Sequence, residues 1–526
     1  MSHKTPLASS IALIKALSEA NAASLVETHI SWVLLAGQHA YKIKKPVNFG
    51  FLDFSTPEKR RFCCNEELRL NRRLAADLYL EVVPITGTPD HPRIGGAKAA
   101  TEYAVKMIRF PAGQLLSEYA ERGQLSIDAI DQLADRVAVF HQTIEQAGED
   151  SPYGDSANIN HWFVENFDHI GPLLVDDTRK EQLQRIQQWG DHEWRKRTEL
   201  MQQRKLLGHV RECHGDLHLG NMTLINGKVT LFDCIEFNPM LRWIDVISEV
   251  AFLFIDLLHF GYEPHAYRFL NRYLQHTGDY QGLALLRYYL VYRALVRAKV
   301  SLLRMVQQQN DRAAAKQALC EYTTFADLAE RITRPRQTVL IITHGYSGSG
   351  KSLMSGQLAE HIGAFQIRSD IERKRLFGYA ANAQTGSAIN DGLYSQEASL
   401  KTYQHLKELA GAVLEAGFPV IVDAAFLKSE QRDRFRRLAD DCGVPFHIVT
   451  FQASDQELCK RIKQRQNDAS EATMDVLRQQ QVSAQPFSEQ EQSSVITINT
   501  ESANALETLL AGFESGYIKQ YPPNSP

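Results

Sequence analysis

His214-Gly215-Asp216-Leu217-His218-Leu219-Gly220-Asn221, with Met222 to Phe237 behind it, is the stretch whose reading decides the fold. Met222-Thr223-Leu224-Ile225 and Lys228-Val229-Thr230-Leu231-Phe232 flank Asn226-Gly227, the dipeptide that best supports the paired positive φ angles of a type I′ hairpin turn. A two-residue turn there sets Ile225 opposite Lys228, and so Asn221 opposite Phe232. Asn221 and Asp233 then emerge side by side at the open end of the hairpin, about 5–8 Å apart. Two oxygen ligands at that separation can share one hard cation, which prefers carboxylate and amide oxygen. Strict alternation aims them at opposite faces, so one of the two must lie just beyond the regular ladder.

Asp216 precedes Asn221 by five positions, the spacing of a kinase catalytic loop. In such a loop the aspartate receives the proton of the attacking hydroxyl and the asparagine holds magnesium. HGDLHLGN, followed by Leu231-Phe232-Asp233-Cys234-Ile235-Glu236-Phe237, resembles the aminoglycoside-phosphotransferase branch of the protein-kinase-like fold. The resemblance implies that Asp216 is the catalytic base and that Asn221 and Asp233 are the magnesium ligands. A turn rich in Asp, Asn and Gly is the plainer reading of an isolated HGD; the hairpin and the second aspartate speak against it.

The chain has 526 residues, too many for one core, and length alone suggests about three domains. Composition is that of a soluble globular protein, with 44% hydrophobic and 23% charged residues and a net charge of −4. No basic excess draws in a polyanion, which weighs against tight nucleic-acid binding. Apolar runs are broken by charge well short of the ~18 residues of a membrane span, and the N-terminus reads as a surface helix rather than a signal. Seven cysteines without metal spacing suggest a reducing cytoplasm, with Cys63-Cys64 as helix core.

Along the chain, residues 7–19 read as a short amphipathic helix. Thr28–Leu35 and Ala40–Lys44 read as strands around Gly37-Gln38. Lys42 and Lys44 share a face of the second strand, and alternation does not choose between them. The resemblance makes one of them the phosphate-contacting lysine; the plainer reading is an edge strand guarded by lysines. Pro57 opens a helix to about Leu74, on which the family pairs the lysine with a glutamate, Glu67 in preference to Glu66. Leu80–Ile85 and Tyr103–Arg109 complete the strands of a small lobe, and Phe110-Pro111 is the expected hinge past the adenine. The glycine-rich phosphate loop of protein kinases is missing. Leu125 to Leu206 is helical, with His141 a satisfied core histidine. Glu236 is a second metal or substrate carboxylate, or a cap. By resemblance Asp245 braces the catalytic-loop backbone. Arg293, Arg297 and Arg304 stripe one helix, either as an anion site or, more plainly, as a solvated face.

A polar boundary at Arg331–Gln337 precedes the buried strand Thr338–Thr343 and then Gly345-Tyr346-Ser347-Gly348-Ser349-Gly350-Lys351-Ser352. This is the full phosphate-binding P-loop pattern, placed as it should be between a strand and a helix. Its glycines let backbone N–H groups turn toward phosphates, Lys351 reaches the β and γ oxygens, and Ser352 coordinates magnesium. Two further buried strands end in Asp370 and Asp423, with Arg368, Arg373, Lys374 and Arg375 around the first. Arg461 and Arg465 share a later helix face. This half resembles the small-molecule and polynucleotide kinase group of P-loop proteins, zeta-toxin-like kinases included. The resemblance implies Asp370 as base, Asp423 as the Walker-B-type acid, Arg461 and Arg465 as lid arginines, and Arg432 as a substrate arginine beside Arg368 and Arg373. The family's asparagine is replaced by Ala424-Ala425, which tells against a nucleic-acid end as substrate.

The expected fold is a two-domain α+β and α/β protein. Residues 1–330 form a bilobal protein-kinase-like domain (small lobe about 1–112, large lobe about 113–330) and 331–337 a linker. Residues 338–516 form a P-loop domain with a parallel sheet flanked by helices, and 517–526 a frayed tail. The two resemblances together match bacterial fusions of an aminoglycoside phosphotransferase family domain with a P-loop kinase domain. The expected function is a bifunctional phosphotransferase using ATP and Mg2+, with small-molecule hydroxyl acceptors. The rivals are a polynucleotide 5′-end or toxin-like kinase in the second half, and a non-catalytic nucleotide-sensing regulator in the first.

Overall fold

The structure is a computed structural model describing residues 6–50, 52–308, 310–381, 383, 393, 395–464 and 470–514. Short runs of alternating apolar residues give a six-stranded antiparallel sheet near the N-terminus. Its strands are β1 (Ser24–Glu27), β2 (Ser31–Ala36), β3 (His39–Lys44), β4 (Tyr79–Thr88), β5 (His91–Ile94) and β6 (Ala100–Ile108), in spatial order β1-β2-β3-β6-β4-β5. One face buries Trp32, Leu34, Ile43 and Ile85 under Leu13, Ile14 and Leu17 of the helix Pro6–Ala20. The opposite face buries Ala40, Val105 and Met107 against Cys64 of the helix Pro57–Ala75. Thr56 caps that helix by accepting the Lys59 N–H, and Pro57 supplies the preset φ of its first turn. Because side chains alternate, Lys42 and Lys44 share the Ala40 face and look toward this helix. β1 and β5, both four residues long, were not legible in the sequence.

The hairpin forms in the register expected. After β7 (Val210–Glu212), β8 (Met222–Ile225) pairs with β9 (Lys228–Leu231), Ile225 against Lys228. Asn226 and Gly227 sit at φ 52° and 74°, the pair that a type I′ turn requires. The Phe232 N–H donates to the Asn221 carbonyl at 3.0 Å, one step past the ladder. Asp233 then adopts φ 68° and is the residue that leaves the regular strand. A short pairing of β10 (Trp243–Asp245) with β7 follows. Packed contacts gather residues 1–132, 139–166 and 192–256 into one unit.

The second unit comprises residues 133–138, 167–191 and 257 onward. Its sheet has β11 (Leu340–His344), β12 (Phe365–Arg368), β13 (Val420–Asp423), β14 (Phe446–Gln452) and β15 (Val495–Asn499), all parallel, in order β12-β13-β11-β14-β15. Strand order reverses at β11, so the loop after it stands at a topological switch point, where open α/β sheets bind ligands. Val339, Ile341, Leu358, Ile421, Val449 and Leu509 form the core.

The unit boundary differs from the expected break at 331–337. The helices Glu263–Thr277, Leu283–Gln307 and Arg312–Thr333 belong with the P-loop sheet, because Glu263–Thr277 packs on the helix Lys351–Ile362 and on β12. The arginine stripe is neither an anion site nor a solvated face. Arg293 is buried beside the Tyr292 ring, Arg297 stacks on Phe325, and Arg304 pairs with Glu321. Residues 517–526 lie outside the described residues. Among those described, no helix is long and apolar enough to cross a membrane.

Gly227→Ala would meet nothing within 4 Å but would place a Cβ at φ 74°. The first unit should lose about 1–2 kcal/mol of unfolding free energy, read as a lower urea midpoint at unchanged slope.

Candidate active sites

Glu67, fully buried on the helix Pro57–Ala75, stands between the two strand lysines. Lys42 Nζ lies 3.0 Å from Oε1 and Lys44 Nζ 2.7 Å from Oε2. Each lysine holds a second carboxylate, Lys42 that of Asp233 and Lys44 that of Glu236. The Lys44 and Glu236 side chains are 0% and 4% exposed, whereas that of Asp233 is 37% exposed. The pair that alternation could not separate is therefore separated by depth. Lys42 reaches the open side and Lys44 stays inside. Burial alone would raise the Glu67 carboxyl, but the two lysines outweigh it and hold it at about 2. Burial pushes the Glu236 carboxyl up, with Lys44 opposing. Glu236 is thus no open metal or substrate carboxylate; it is the buried counterion of Lys44. Two lysines thus face three acidic side chains, and of these Asp233 lies nearest solvent.

Asp216 is fixed and still open. Asn221 Nδ2 donates to its Oδ2 at 2.9 Å and to its carbonyl at 3.0 Å, and His218 Nε2 lies 3.3 Å from the same Oδ2. The buried His214 ring runs from the Asp216 N–H at 3.3 Å to the Phe232 carbonyl at 2.8 Å, tying the loop to the end of the hairpin. Asn221 thus holds Asp216 directly, and His214 ties their loop to Phe232, the residue before Asp233.

The brace of this loop is not Asp245. That residue pairs with Arg204 at 2.7 and 2.9 Å and accepts the Ile247 N–H. The loop's backbone instead donates to Glu249, from His214 at 2.8 Å and Gly215 at 2.6 Å, and to Asp256 from Leu219 at 2.9 Å. His141 adds its Nε2 to Glu249 at 3.1 Å, the satisfied core histidine that its position suggested. Glu249 lies four residues beyond Asp245, inside the helix Val246–His259 that Asp245 only precedes, so the resemblance fell short of the residue that meets the loop. Two more anchors escaped the sequence reading. Asn71 Oδ1 accepts the Cys234 N–H at 2.9 Å and the Tyr79 hydroxyl accepts that of Asp233 at 3.2 Å. Asn71 lies four residues after Glu67 on the same helix, a signal that was available.

The P-loop takes the form its glycines permit. Gly345 has φ 143°, and a Cβ there would come within 2.6 Å of the Phe451 carbonyl; at Gly348, with φ 84°, one would come within 2.9 Å of the Leu458 carbonyl. Gly350 caps the helix Lys351–Ile362. Lys351 Nζ folds back to the Tyr346 carbonyl at 2.8 Å, and Gln480 accepts the Ser347 N–H at 2.8 Å. A cavity of about 470 Å³ opens beside the loop, with Lys351, Ser352, Asp370, Asp423, Arg373 and Arg461 on its wall. Burial raises the Asp423 carboxyl, with Arg368 and the hydrogen-bonded Ser352 hydroxyl opposing. Arg368 Nε lies 3.7 Å from Asp423. β12 ends at Arg368 rather than at Asp370, which is the second residue of the helix Ser369–Leu376 and lines the cavity. Arg373 lines the cavity while donating to the Leu393 carbonyl at 2.9 Å. Arg461 is pinned at the loop's edge by Glu457 at 2.9 Å and by Thr500 Oγ1 at 2.9 Å. Arg465 lies outside the described residues.

Arg432 is not a substrate arginine. It is fully buried, holds Glu491 at 2.6 and 3.2 Å, donates to the Pro486 carbonyl and lies over the Phe487 ring. A guanidinium so enclosed joins two segments of the domain and is absent from the cavity wall.

The family model described as "AAA domain" matches residues 340–487. The chain is 30% identical over 450 residues to "Uncharacterized protein Rv2004c" of Mycobacterium tuberculosis, covering 86% of this chain and 88% of that one. "Uncharacterized protein Mb2027c" of Mycobacterium bovis matches with the same figures. Among solved structures, an ethanolamine kinase of Plasmodium vivax is 10% identical over 59% of this chain and 84% of its own, with TM-score 0.36. An amicoumacin kinase in complex with AMP-PNP, Ca2+ and Ami is 13% identical over 59% and 88%, with TM-score 0.37. A gluconokinase from Sinorhizobium meliloti 1021 is 19% identical over 36% and 97%, with TM-score 0.26.

Glu249 makes a pH test of the loop brace. Burial would raise its carboxyl, but the His141 hydrogen bond, the two neighbouring imidazoles and the His214 N–H hold it at about 2 against an ordinary 4.5. A carboxyl depressed on folding stabilises fully above about pH 4.5, and that contribution fades as pH falls toward 2. Glu249→Gln should cost about 1–3 kcal/mol at pH 7. Urea unfolding along a pH series should show the gap to wild type closing below pH 4.5.

Proposed function

This chain belongs to the family of the Mycobacterium tuberculosis protein Rv2004c and its Mycobacterium bovis counterpart, and on that premise we propose a bifunctional phosphotransferase. Each half uses ATP and magnesium and moves the γ-phosphoryl group to a hydroxyl of a small molecule such as a sugar or nucleotide sugar. Similarity over 86% of the chain reaches into both units, so the two occur together in the relative as well. The observation that carries the reading is the cavity on which Lys351, Ser352, Asp370 and Asp423 share one wall. Phosphates meet backbone N–H groups at a helix N-terminus there, and Lys351 exchanges the Tyr346 carbonyl for phosphate oxygens. Asp370 takes the proton of the acceptor hydroxyl, and Arg461 offsets charge developing on the transferred group. Arg368 and Arg373 face the acceptor.

In the first unit Asp216 is the base, and Lys42 exchanges Asp233 for phosphate. Lys44, itself held by Glu236, keeps Glu67 in place behind it. Asn221 and Asp233, and Ser352 and Asp423, are oxygen donors suited to a hard divalent cation. Asp233, with its side chain 37% exposed, is open to such an ion. Bound there, magnesium would neutralise the charge on the phosphates. The working setting is the reducing cytoplasm, in keeping with seven cysteines that form no disulfide among the described residues.

A second reading makes the first unit a nucleotide-sensing regulator. It is favoured by the turn between β2 and β3, where Ala36 pairs with His39 and leaves only Gly37-Gln38 to face a nucleotide. A nucleic-acid end as acceptor of the second unit loses its main support with Arg432 enclosed.

The test is a small-metabolite extract with labelled ATP. Two labelled products are expected, one lost with Asp216→Ala and the other with Lys351→Ala, each by about 10²–10⁴-fold. A single product lost equally in both variants would sink the two-reaction reading, and nucleotide binding without turnover by the first unit would favour the regulator.

A further inference from the structure

β12 is an edge strand of the parallel sheet, and the backbone groups on its outer side need partners. Side chains supply them at Gln366. Asn271 Oδ1 accepts the Gln366 N–H at 2.7 Å while its Nδ2 donates to the Ala364 carbonyl at 3.0 Å. The Tyr280 hydroxyl donates to the Gln366 carbonyl at 3.2 Å, and Gln275 Nε2 to Gln366 Oε1 at 3.2 Å. Gln366 is therefore gripped at its N–H, its carbonyl and its side chain by residues that precede the expected linker. Asn271, Tyr280 and Gln366 are buried, so these bonds are sheltered from competing water.

The grip leads to the P-loop. Gln366 Nε2 donates to the Ser352 carbonyl at 3.1 Å and to Ser355 Oγ at 2.8 Å, both in the helix that the P-loop opens. Ser352 is the residue whose hydroxyl meets Asp423. Two residues beyond Gln366 the strand ends at Arg368, and Asp370 follows in the next turn. One side chain thus fixes the helix start that carries the magnesium-facing hydroxyl, and its backbone fixes the strand that delivers the base.

We propose that Gln366, seated by Asn271, Gln275 and Tyr280, is a positioning residue of the P-loop centre, and that the segment 263–282 is a working part of that centre. The inference rests on reading the P-loop cavity as a magnesium–nucleotide site. Its signature is metal dependence. A loosened Ser352 weakens the ion's hold, whereas a bond that only adds stability lowers the melting temperature and leaves the magnesium requirement alone.

The experiment uses the full-length chain and a fluorescent ATP analogue, titrated with Mg2+, and follows the component of binding that Lys351→Ala abolishes. The magnesium concentration for half-maximal binding should rise about 10-fold in Gln366→Leu, in the range found for outer-shell partners of metal ligands. It should rise more modestly in Tyr280→Phe, which removes one hydroxyl and keeps the ring. Analogue affinity without magnesium should stay unchanged. Should Gln366→Leu fail to fold, Tyr280→Phe with Gln275→Ala decides. A magnesium midpoint that stays put in folded variants overturns the positioning role while leaving the nucleotide site intact. Wild type with no magnesium-dependent binding sensitive to Lys351→Ala overturns the site reading and this inference with it.

Discussion

Irregular backbone at a site can exist only if its own polar groups are satisfied from elsewhere, and in the first unit a single buried carboxylate meets most of that demand. Glu249 accepts the N–H groups of His214 and Gly215, and Asp256 on the same helix accepts that of Leu219. The loop bearing Asp216 therefore needs neither helix nor strand pairing to hold its course. Its far end is held by Asn221, its near end by the His214 ring against the last residue of the hairpin. The helix Val246–His259 supplies the acceptors for three of the loop's N–H groups.

The charge cluster in front of that loop obeys a second constraint. Glu67 is too deep to stay ionised alone, and a lone lysine beside it would be taken up entirely by that pairing. Here two lysines share it, each with a further acid, so Lys44, backed by Glu236, can hold Glu67 while Lys42 remains close to the open side. The arrangement separates the task of fixing the glutamate from the task of reaching outward. The P-loop unit separates tasks in another way, with glycine backbone shaping the loop and a relay of amide side chains fixing the helix that follows.

Much of this was legible in the residues themselves. Asn226-Gly227 dictated the hairpin and its register, and the spacing from Gly345 to Ser352 dictated the loop. The alternation in β3 put Lys42 and Lys44 on one face. Illegible were choices that depend on three-dimensional depth. Alternation is blind to which of two lysines lies deeper. The family resemblance pointed to Asp245, on the short strand before the helix, and not to Glu249, whose carboxylate meets the loop. Arg432 sat at a family position and was enclosed by Glu491 and Phe487, partners 59 and 55 positions away along the chain. The unit boundary was missed for a related reason. The polar stretch 331–337 has the composition of a linker, yet the bonds of Asn271 and Tyr280 cross it.

Those same bonds bear on how the chain can be cut. A fragment beginning at residue 338 would strip β12 of the amide and phenol groups that cover its outer side, leaving bare N–H and carbonyl groups in a row. A naked parallel edge recruits strands from other molecules. Aggregation of such a fragment would then reflect the missing cover rather than a sequence unable to fold, and a start upstream of Glu263 would restore it.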